Sequence, residues 1–236
     1  MEELYSISDA AVQNGSYDRA ERYLKRLVAR FPFGSYTEQS QLKLGFVQFK
    51  LDKYDEATAT INRFIKTYPT HEQVDYAYYL RGLINFERDR TLFSTLVPGD
   101  QALREQGSTK QAFVDFSELI KRFPNSSYAP DARQRMTYLR NNLATHELSI
   151  AAYYFRRGAF IGALNRAKNV IESYQESPQA ADALALMVQC YQKLEEPKLA
   201  EDTLAVLKLN APEHPYVTGT QADRASWLRK LWPFGS

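Results

Sequence analysis

Three histidines, one cysteine and one close pair of carboxylates are the residues of this chain from which chemistry could be built. His71, His146 and His214 stand far apart, and none belongs to an HExxH or similar metal-ligand spacing. His71 follows Thr70, a helix-capping residue in this reading, so a structural place in a first turn is expected for it. Cys190 lies inside the helical pattern LALMVQCYQKL; it cannot form an internal disulfide and reads as a small buried hydrophobe. Asp115 and Glu118 resemble an acid/base pair only until their context is considered. Phe116 and Leu119 take the apolar positions of the same helix, which puts the two carboxylates on its solvated face. No P-loop, GxSxG or dinucleotide fingerprint occurs, so neither catalysis nor a cofactor nor a metal is expected.

Thirty basic against 28 acidic residues leave a net charge of +2, far from the surplus of a nucleic-acid binder. The 236 residues can hold one domain or two with a substantial core. No apolar run reaches the length of a membrane span, and no signal peptide is present. Tyrosine is overused, at 16 copies, which turns attention from catalysis to surface.

The elements that must carry this surface repeat. From Leu4 to Pro32 the chain reads as helix, Gly15-Ser16-Tyr17 turn, helix, proline, with Tyr17, Ala20, Leu24, Leu27 and Pro32 at the diagnostic places of a tetratricopeptide repeat. Thirty-seven residues on stand Tyr54, Ala57, Ile61, Phe64 and Pro69, with Gly45 in the first helix. Gly82 marks a third first-helix, but its partner (Ala112, Phe116, Leu119, Pro124) arrives 18 residues late. A fourth match gives Gly158, Phe160, Ala163 and Val170, with Gln175 in place of proline; a fifth gives Ala200, Leu204, Leu207 and Pro212. Alanine recurs where paired helices approach closely and a larger side chain would overpack by roughly 1–3 kcal/mol. The expected fold is therefore an all-α solenoid of five tetratricopeptide-like helix pairs. It has about ten helices, one of them a long central helix from Tyr128 to Arg157, roughly 45 Å by its rise.

Capping boxes are expected at Ser35/Glu38, Thr70/Gln73 and Ser108/Gln111, and Pro178 at a first helical position. Residues 1–124 form the first three repeats, 125–212 the long helix and last two repeats, and 213–236 a tail. The insert Thr91–Gly107 is either tolerated length or a functional loop. Trp227, Leu228, Leu231 and Trp232 of the tail line one side of a short basic helix, which either caps the last repeat or meets a partner or membrane surface.

First helices of such repeats line a concave groove that holds extended peptide. The groove positions select Tyr5, Leu42, Phe46, Phe49, Tyr76, Tyr79, Leu83 and Phe86, an aromatic set suited to peptides with aromatic side chains. The same spacings also describe core stripes. Phe46, Leu83 and Phe86 read as core; Tyr5, Tyr76 and Tyr79, whose hydroxyls want water or a partner, read as groove. The turn RFPFGSY places Phe33 and Tyr36 on its rim. Alanine at Tyr76 and Phe33 is expected to weaken peptide binding with little change in thermal stability.

Four segments, RFPFGSYTEQSQL (Arg30–Leu42), RFIKTYPTHEQVDYAYYLRGL (Arg63–Leu83), AFVDFSELIKRFPNSSYAPDARQRMTYLRNNLA (Ala112–Ala144) and YYFRRGAFIGALNRAKNVI (Tyr153–Ile171), together resemble the BamD family of lipoproteins. The likeness covers about Leu4 to Leu209. It implies a non-enzymatic scaffold of the β-barrel assembly machinery, lipid-anchored on the periplasmic face of the outer membrane. Its C-terminal repeats would dock on a POTRA domain of BamA, and its N-terminal repeats would meet companion lipoproteins and unfolded outer-membrane proteins. Carried onto ALNRAKNVI, the BamA-facing candidates are Asn165 and Arg166, the arginine because its planar fork pairs with carboxylates. Arg166→Glu is expected to weaken capture of a POTRA fragment without altering circular dichroism. Family members carry their lipid on an N-terminal cysteine; no cysteine precedes the first helix here, and mid-helix Cys190 cannot substitute. A general periplasmic peptide-binding co-chaperone, or a pilotin-like protein, is the other reading of the same repeats.

Overall fold

Where alanine recurs, helices meet. Ala20, Ala57, Ala112 and Ala163 expose no surface at all, and Ala200 only 6%. Among the described residues, which are 1–94 and 107–219 of this computed structural model, ten helices form five pairs. They are α1 (Glu2–Gln13) with α2 (Tyr17–Arg30), α3 (Ser35–Lys50) with α4 (Tyr54–Thr67), α5 (Val74–Ser94) with α6 (Gly107–Arg122), α7 (Ala129–Arg156) with α8 (Phe160–Ser173), and α9 (Gln179–Lys193) with α10 (Pro197–Asn210). A single turn, α11 (Pro215–Thr218), follows. The chain is all-α, a solenoid of tetratricopeptide-like repeats, with the expected long helix at 28 residues, about 42 Å. All but the ends of the insert, and the tail helix with Trp227, Leu228, Leu231 and Trp232, lie outside the described residues.

Packing divides the described residues into two units, one of Met1–Ser94 with Gly107–Met136 and one of residues 137–219. In the first, Ile61 and Phe64 of α4 pack with Leu42 of α3 and Ala77, Leu80 and Ile84 of α5. In the second, Ala144, Leu148 and Ala151 of α7 pack with Ala163, Ala167 and Val170 of α8 and with most of α9, including Cys190, whose thiol burial pushes up to about 12. The close approach is visible at two glycines. A Cβ on Gly45 would lie 2.4 Å from Ile61 Cδ1, and one on Gly82 2.5 Å from Phe116 Cε1.

The bends inside the pairs have one geometry. After α1, α3, α7 and α9 the chain turns through Gly15, Asp52, Gly158 and Glu195, all at left-handed φ between 57° and 76°. In each, the following N–H reaches the carbonyl five residues back: Ser16 to Ala11, Lys53 to Gln48, Ala159 to Tyr154, Glu196 to Tyr191, at 2.9–3.0 Å. This is the helix-ending motif that glycine serves without strain. The four positions keep the repeat register, yet two carry acidic residues, for which the left-handed region costs about 1–2 kcal/mol. Glu195, whose side chain is exposed, gives the clean test. Glu195→Gly should stabilise the second unit by about 1 kcal/mol, read as a rise in urea midpoint at unchanged slope.

The turns between repeats are capped differently from expectation. Thr70 does not restart a helix: α5 begins at Val74, and His71 lies in the turn before it, its Nδ1 accepting from Gln73 N–H at 3.0 Å. His214 does the same for Tyr216 N–H at 3.1 Å and Ser126 Oγ for Tyr128 N–H at 3.2 Å. Each cap stands two residues beyond Pro69, Pro212 or Pro124. A ring nitrogen thus does the work assigned to a hydroxyl. The other boxes also fail to form: Gly34 is the cap of α3, Ser108 lies inside α6 with the Gln111 amide turned to Asp115, and Pro178 is the cap of α9 rather than its first residue.

One carboxylate is buried where a solvated one was expected. Asp115 is 1% exposed, held by Arg81 Nε at 2.9 Å and by the amides of Asn85 and Gln111 at 2.8 and 3.1 Å. Glu118 stays half-exposed and takes Arg81 Nη2 at 2.6 Å. The helix bearing Phe116 presents Asp115 to α5 because Arg81 is there to meet it.

Candidate peptide-binding surface

Tyr5 and Asp9 stand one turn apart on α1, and Tyr36, Gln39 and Lys43 follow one stripe of α3. The two helices bring Tyr5 and Tyr36 edge to face at 5.0 Å between ring centres. The Tyr5 hydroxyl donates to Gln39 Oε1 and accepts from Lys43 Nζ, both at 2.7 Å. Lys43 also pairs with Asp9. Burial alone would pull the Lys43 ammonium down, but Asp9 and the Tyr5 oxygen outweigh it and hold its pKa above the ordinary lysine value.

Phe33 stands apart from these rings. It is 83% exposed, in a turn fixed by Gly34 at φ 115° and by Thr37 Oγ1 donating to Phe31 O at 2.6 Å. That backbone is open only to glycine at Gly34. The ring is thus presented on a rigid turn with its apolar face bare, which is the expensive way to leave a phenylalanine.

Tyr76 and Tyr79 of α5 meet on Tyr128, which leads into α7. Tyr79 stacks on it at 4.9 Å and Tyr76 packs at 5.3 Å. The Tyr79 hydroxyl donates to Asp131 Oδ2 at 2.5 Å, and Arg135 Nε holds the same oxygen at 2.5 Å while its guanidinium lies 4.9 Å over Phe86. Burial raises the Asp131 carboxyl, but Arg135 and Tyr79 more than reverse this and leave it below the ordinary range. Tyr76 packs against the core formed by Leu42, Ile61 and Leu80, and burial, the main cause, pushes its phenol far up. Alanine at Tyr76 therefore removes packing as well as surface, and the expectation of unchanged stability is corrected for that residue. Phe86 is buried and Phe46 half-buried against the cores of the first unit, as read from sequence. Tyr128, Lys43 and Asp131 were missed. Their only sequence signal is position: Tyr128 stands, relative to Pro124, where Gln73 stands relative to Pro69.

In the second unit Asn165 is exposed on α8, one turn after Ile161, itself 64% exposed. Arg166 beside it is tied to α7. Its Nη1 lies 2.9 Å from Oε2 of Glu147, a residue 4% exposed on α7, and that bond is the main cause holding its pKa above the ordinary arginine value. The expectation that Arg166→Glu leaves the fold untouched is therefore corrected: it would set a second carboxylate against a buried one. No helix among the described residues is long and apolar enough to cross a membrane.

A family model described as an outer membrane lipoprotein, YfiO, matches residues 1–207. The outer membrane protein assembly factor BamD of Xylella fastidiosa is 40% identical over 235 residues, covering 99% of this chain and 80% of the relative. That of Neisseria gonorrhoeae is 40% identical over 230 residues, covering 97% and 86%. Among solved structures, a thermophilic tetratricopeptide-repeat protein of Thermus thermophilus is similar at 12% identity and a TM-score of 0.44, over 98% of this chain and 97% of that one.

Proposed function

Since this chain belongs to the YfiO family of outer membrane lipoproteins, whose curated relatives are outer membrane protein assembly factors, we propose that it is a non-enzymatic scaffold for assembling β-barrel proteins into the outer membrane. It works on the periplasmic face of the outer membrane, tethered there by lipid. Its first unit takes extended segments of unfolded barrel proteins, and companion lipoproteins meet the same repeats. Its second unit docks on a POTRA domain of BamA through the face of Asn165, with Ile161 as an apolar neighbour and Arg166 held beside it by Glu147.

The observation that carries this reading is the row of aromatic side chains along α1, α3 and α5. Tyr5, Tyr36, Tyr76 and Tyr79 are half-buried, and Phe33 stands bare at the rim. Rings held by packing present rigid contact area to a peptide at little further entropic cost. Transmembrane strands of barrel proteins carry aromatic girdles, the side chains such a surface suits.

Phe33 and Tyr36 give the test, because neither belongs to a buried core cluster. The double variant Phe33→Ala/Tyr36→Ala should weaken binding of an aromatic-rich barrel-strand peptide about tenfold or more, with a thermal midpoint within a few degrees of the parent, since loss of interface aromatics costs more than about 1 kcal/mol each. Undiminished binding by fluorescence anisotropy sinks the groove. Capture from envelope extract by the parent chain, compared with Asn165→Arg, tests the docking face. Failure to recover a POTRA-bearing protein would leave a general peptide-binding co-chaperone.

A further inference from the structure

The outer face of α2 carries a ladder of guanidinium groups that the fold does not use. Arg19, Arg22, Arg26 and Arg30 are all exposed, at spacings of three, four and four residues, and so follow one stripe about 16 Å long. Among the described residues none of the four has an ion pair. Arg19 lies 5.7 Å over the Tyr23 ring and Arg30 5.7 Å over that of Phe31. The acidic residue within α2 that does pair, Glu21, is buried and turned to Lys25 and Lys53. With five basic and two acidic residues, this one helix carries a larger positive excess than the whole chain.

Helix stability does not account for the stripe. Each neighbouring pair of arginines is a like-charge pair at helical contact distance, which disfavours the helix. Arg19 stands in the first turn, at the positive end of the helix dipole, where an acidic residue would be favoured; only Arg30 sits at the end that welcomes a cation. Three like-charge contacts in a row, the first beginning at the wrong end of the dipole, would be relieved by an external anion. The stripe also lacks what a protein partner grips: α2 has no large exposed apolar side chain to serve as an anchor. A straight row of guanidinium groups without an apolar centre suits a flat array of phosphates.

We infer that the arginine stripe of α2 lies against anionic phospholipid headgroups, giving the first repeat an electrostatic hold on the membrane in addition to any lipid chain. This rests on the outer-membrane location proposed above.

The test is co-sedimentation of the full, unacylated chain with vesicles of phosphatidylethanolamine containing phosphatidylglycerol, against vesicles in which phosphatidylcholine replaces the anionic lipid. Binding should require the anionic lipid and weaken with salt. Arg22→Gln/Arg26→Gln should reduce partitioning about 30-fold, from the hold of one basic residue near a charged surface applied twice. The exposed control Lys198→Gln/Lys208→Gln on α10 should bind as the parent does. Thermal midpoints should be unchanged or raised in the arginine variant, since the fold loses only a repulsion. Equal binding to both vesicle types, or an equal loss in the control pair, overturns the inference. Capture on immobilised polyglutamate with the same arginine dependence, but no vesicle binding, also overturns it and assigns the stripe to an acidic polypeptide. A POTRA-bearing partner recovered from envelope extract alongside failed vesicle binding removes this inference alone; loss of both removes the location it rests on.

Discussion

The Arg81→Met variant should lose about 3–5 kcal/mol of stability in the first unit, a fall in thermal midpoint of about 10 °C. Arg81 spans α5 and α6: its Nε lies 2.9 Å from Asp115 and its Nη2 2.6 Å from Glu118, with the guanidinium 5.0 Å over Tyr78. Methionine keeps most of the stem and removes the charge, leaving the buried Asp115 carboxylate with only the Asn85 and Gln111 amides. Removing one partner of a buried pair costs far more than removing both, so Arg81→Met/Asp115→Leu should recover much of the loss. The same site sets a pH dependence. Burial, the largest influence, raises the Asp115 carboxyl above its ordinary value despite the pull of Arg81 and the two amides. A carboxyl raised by folding favours the native state fully below its unfolded pKa and loses that contribution as pH rises through the folded value. Relative to Asp115→Asn, the parent should therefore weaken as pH rises from the ordinary carboxylate range toward neutrality. Arg81→Met should carry that weakening to higher pH, because the cation opposing the rise is gone. Urea melts across this window decide it; a flat difference between parent and Asp115→Asn would overturn the assignment.

Gly82→Ala should destabilise the protein by about 1–2 kcal/mol, although alanine is the better helix former by about 1 kcal/mol. The added Cβ would lie 2.5, 2.6 and 2.9 Å from three carbons of the Phe116 ring, which exposes no surface and has no room to swing away. Overpacking of this kind costs about 1–3 kcal/mol or more, and here it outweighs the propensity gain. At Gly45 the added Cβ would lie 2.4 and 2.7 Å from Cδ1 and Cγ1 of Ile61, which also exposes no surface, but an aliphatic chain adjusts more easily than a ring. Gly45→Ala should therefore cost less, about 1 kcal/mol. Register explains the difference: the equivalent first-helix places are Ser8, Gly45, Gly82, Ala151 and Val188, all buried, and the largest second-helix partner, Phe116, faces one of the two glycines. Gly82→Ala combined with Phe116→Leu should restore stability by calorimetry. An unaltered midpoint in Gly82→Ala alone would show that the ring has space after all.

The repeats were legible because their signals are covalent and local. Alanine at contacts, proline after each second helix but the fourth, and glycine at two of the bends follow from backbone geometry, and the pairs stand where these residues place them. Caps were less legible. Thr70 has the composition of a cap, but His71 wins because its ring nitrogen reaches the N–H two residues on, a competition that composition does not reveal. Asp115 was misread because an amphipathic pattern assigns a charged side chain to solvent unless its partner is known, and its partner, Arg81, lies on another helix. The aromatic surface was half legible: Tyr5 and Tyr36 meet, and Tyr76 and Tyr79 meet, but through Tyr128, which no periodicity singles out.

The buried Cys190 has a practical corollary. It is the only thiol in the chain, it exposes no surface, and burial holds its pKa near 12. Reagents that attack thiolates have almost nothing to attack at neutral pH. This chain is therefore a silent background for labelling chemistry: a cysteine introduced at Arg22, at Phe33 or at Asn165 would be the one site that takes a maleimide fluorophore or spin label. Three such derivatives would report separately on vesicle, peptide and partner, without first removing a native residue.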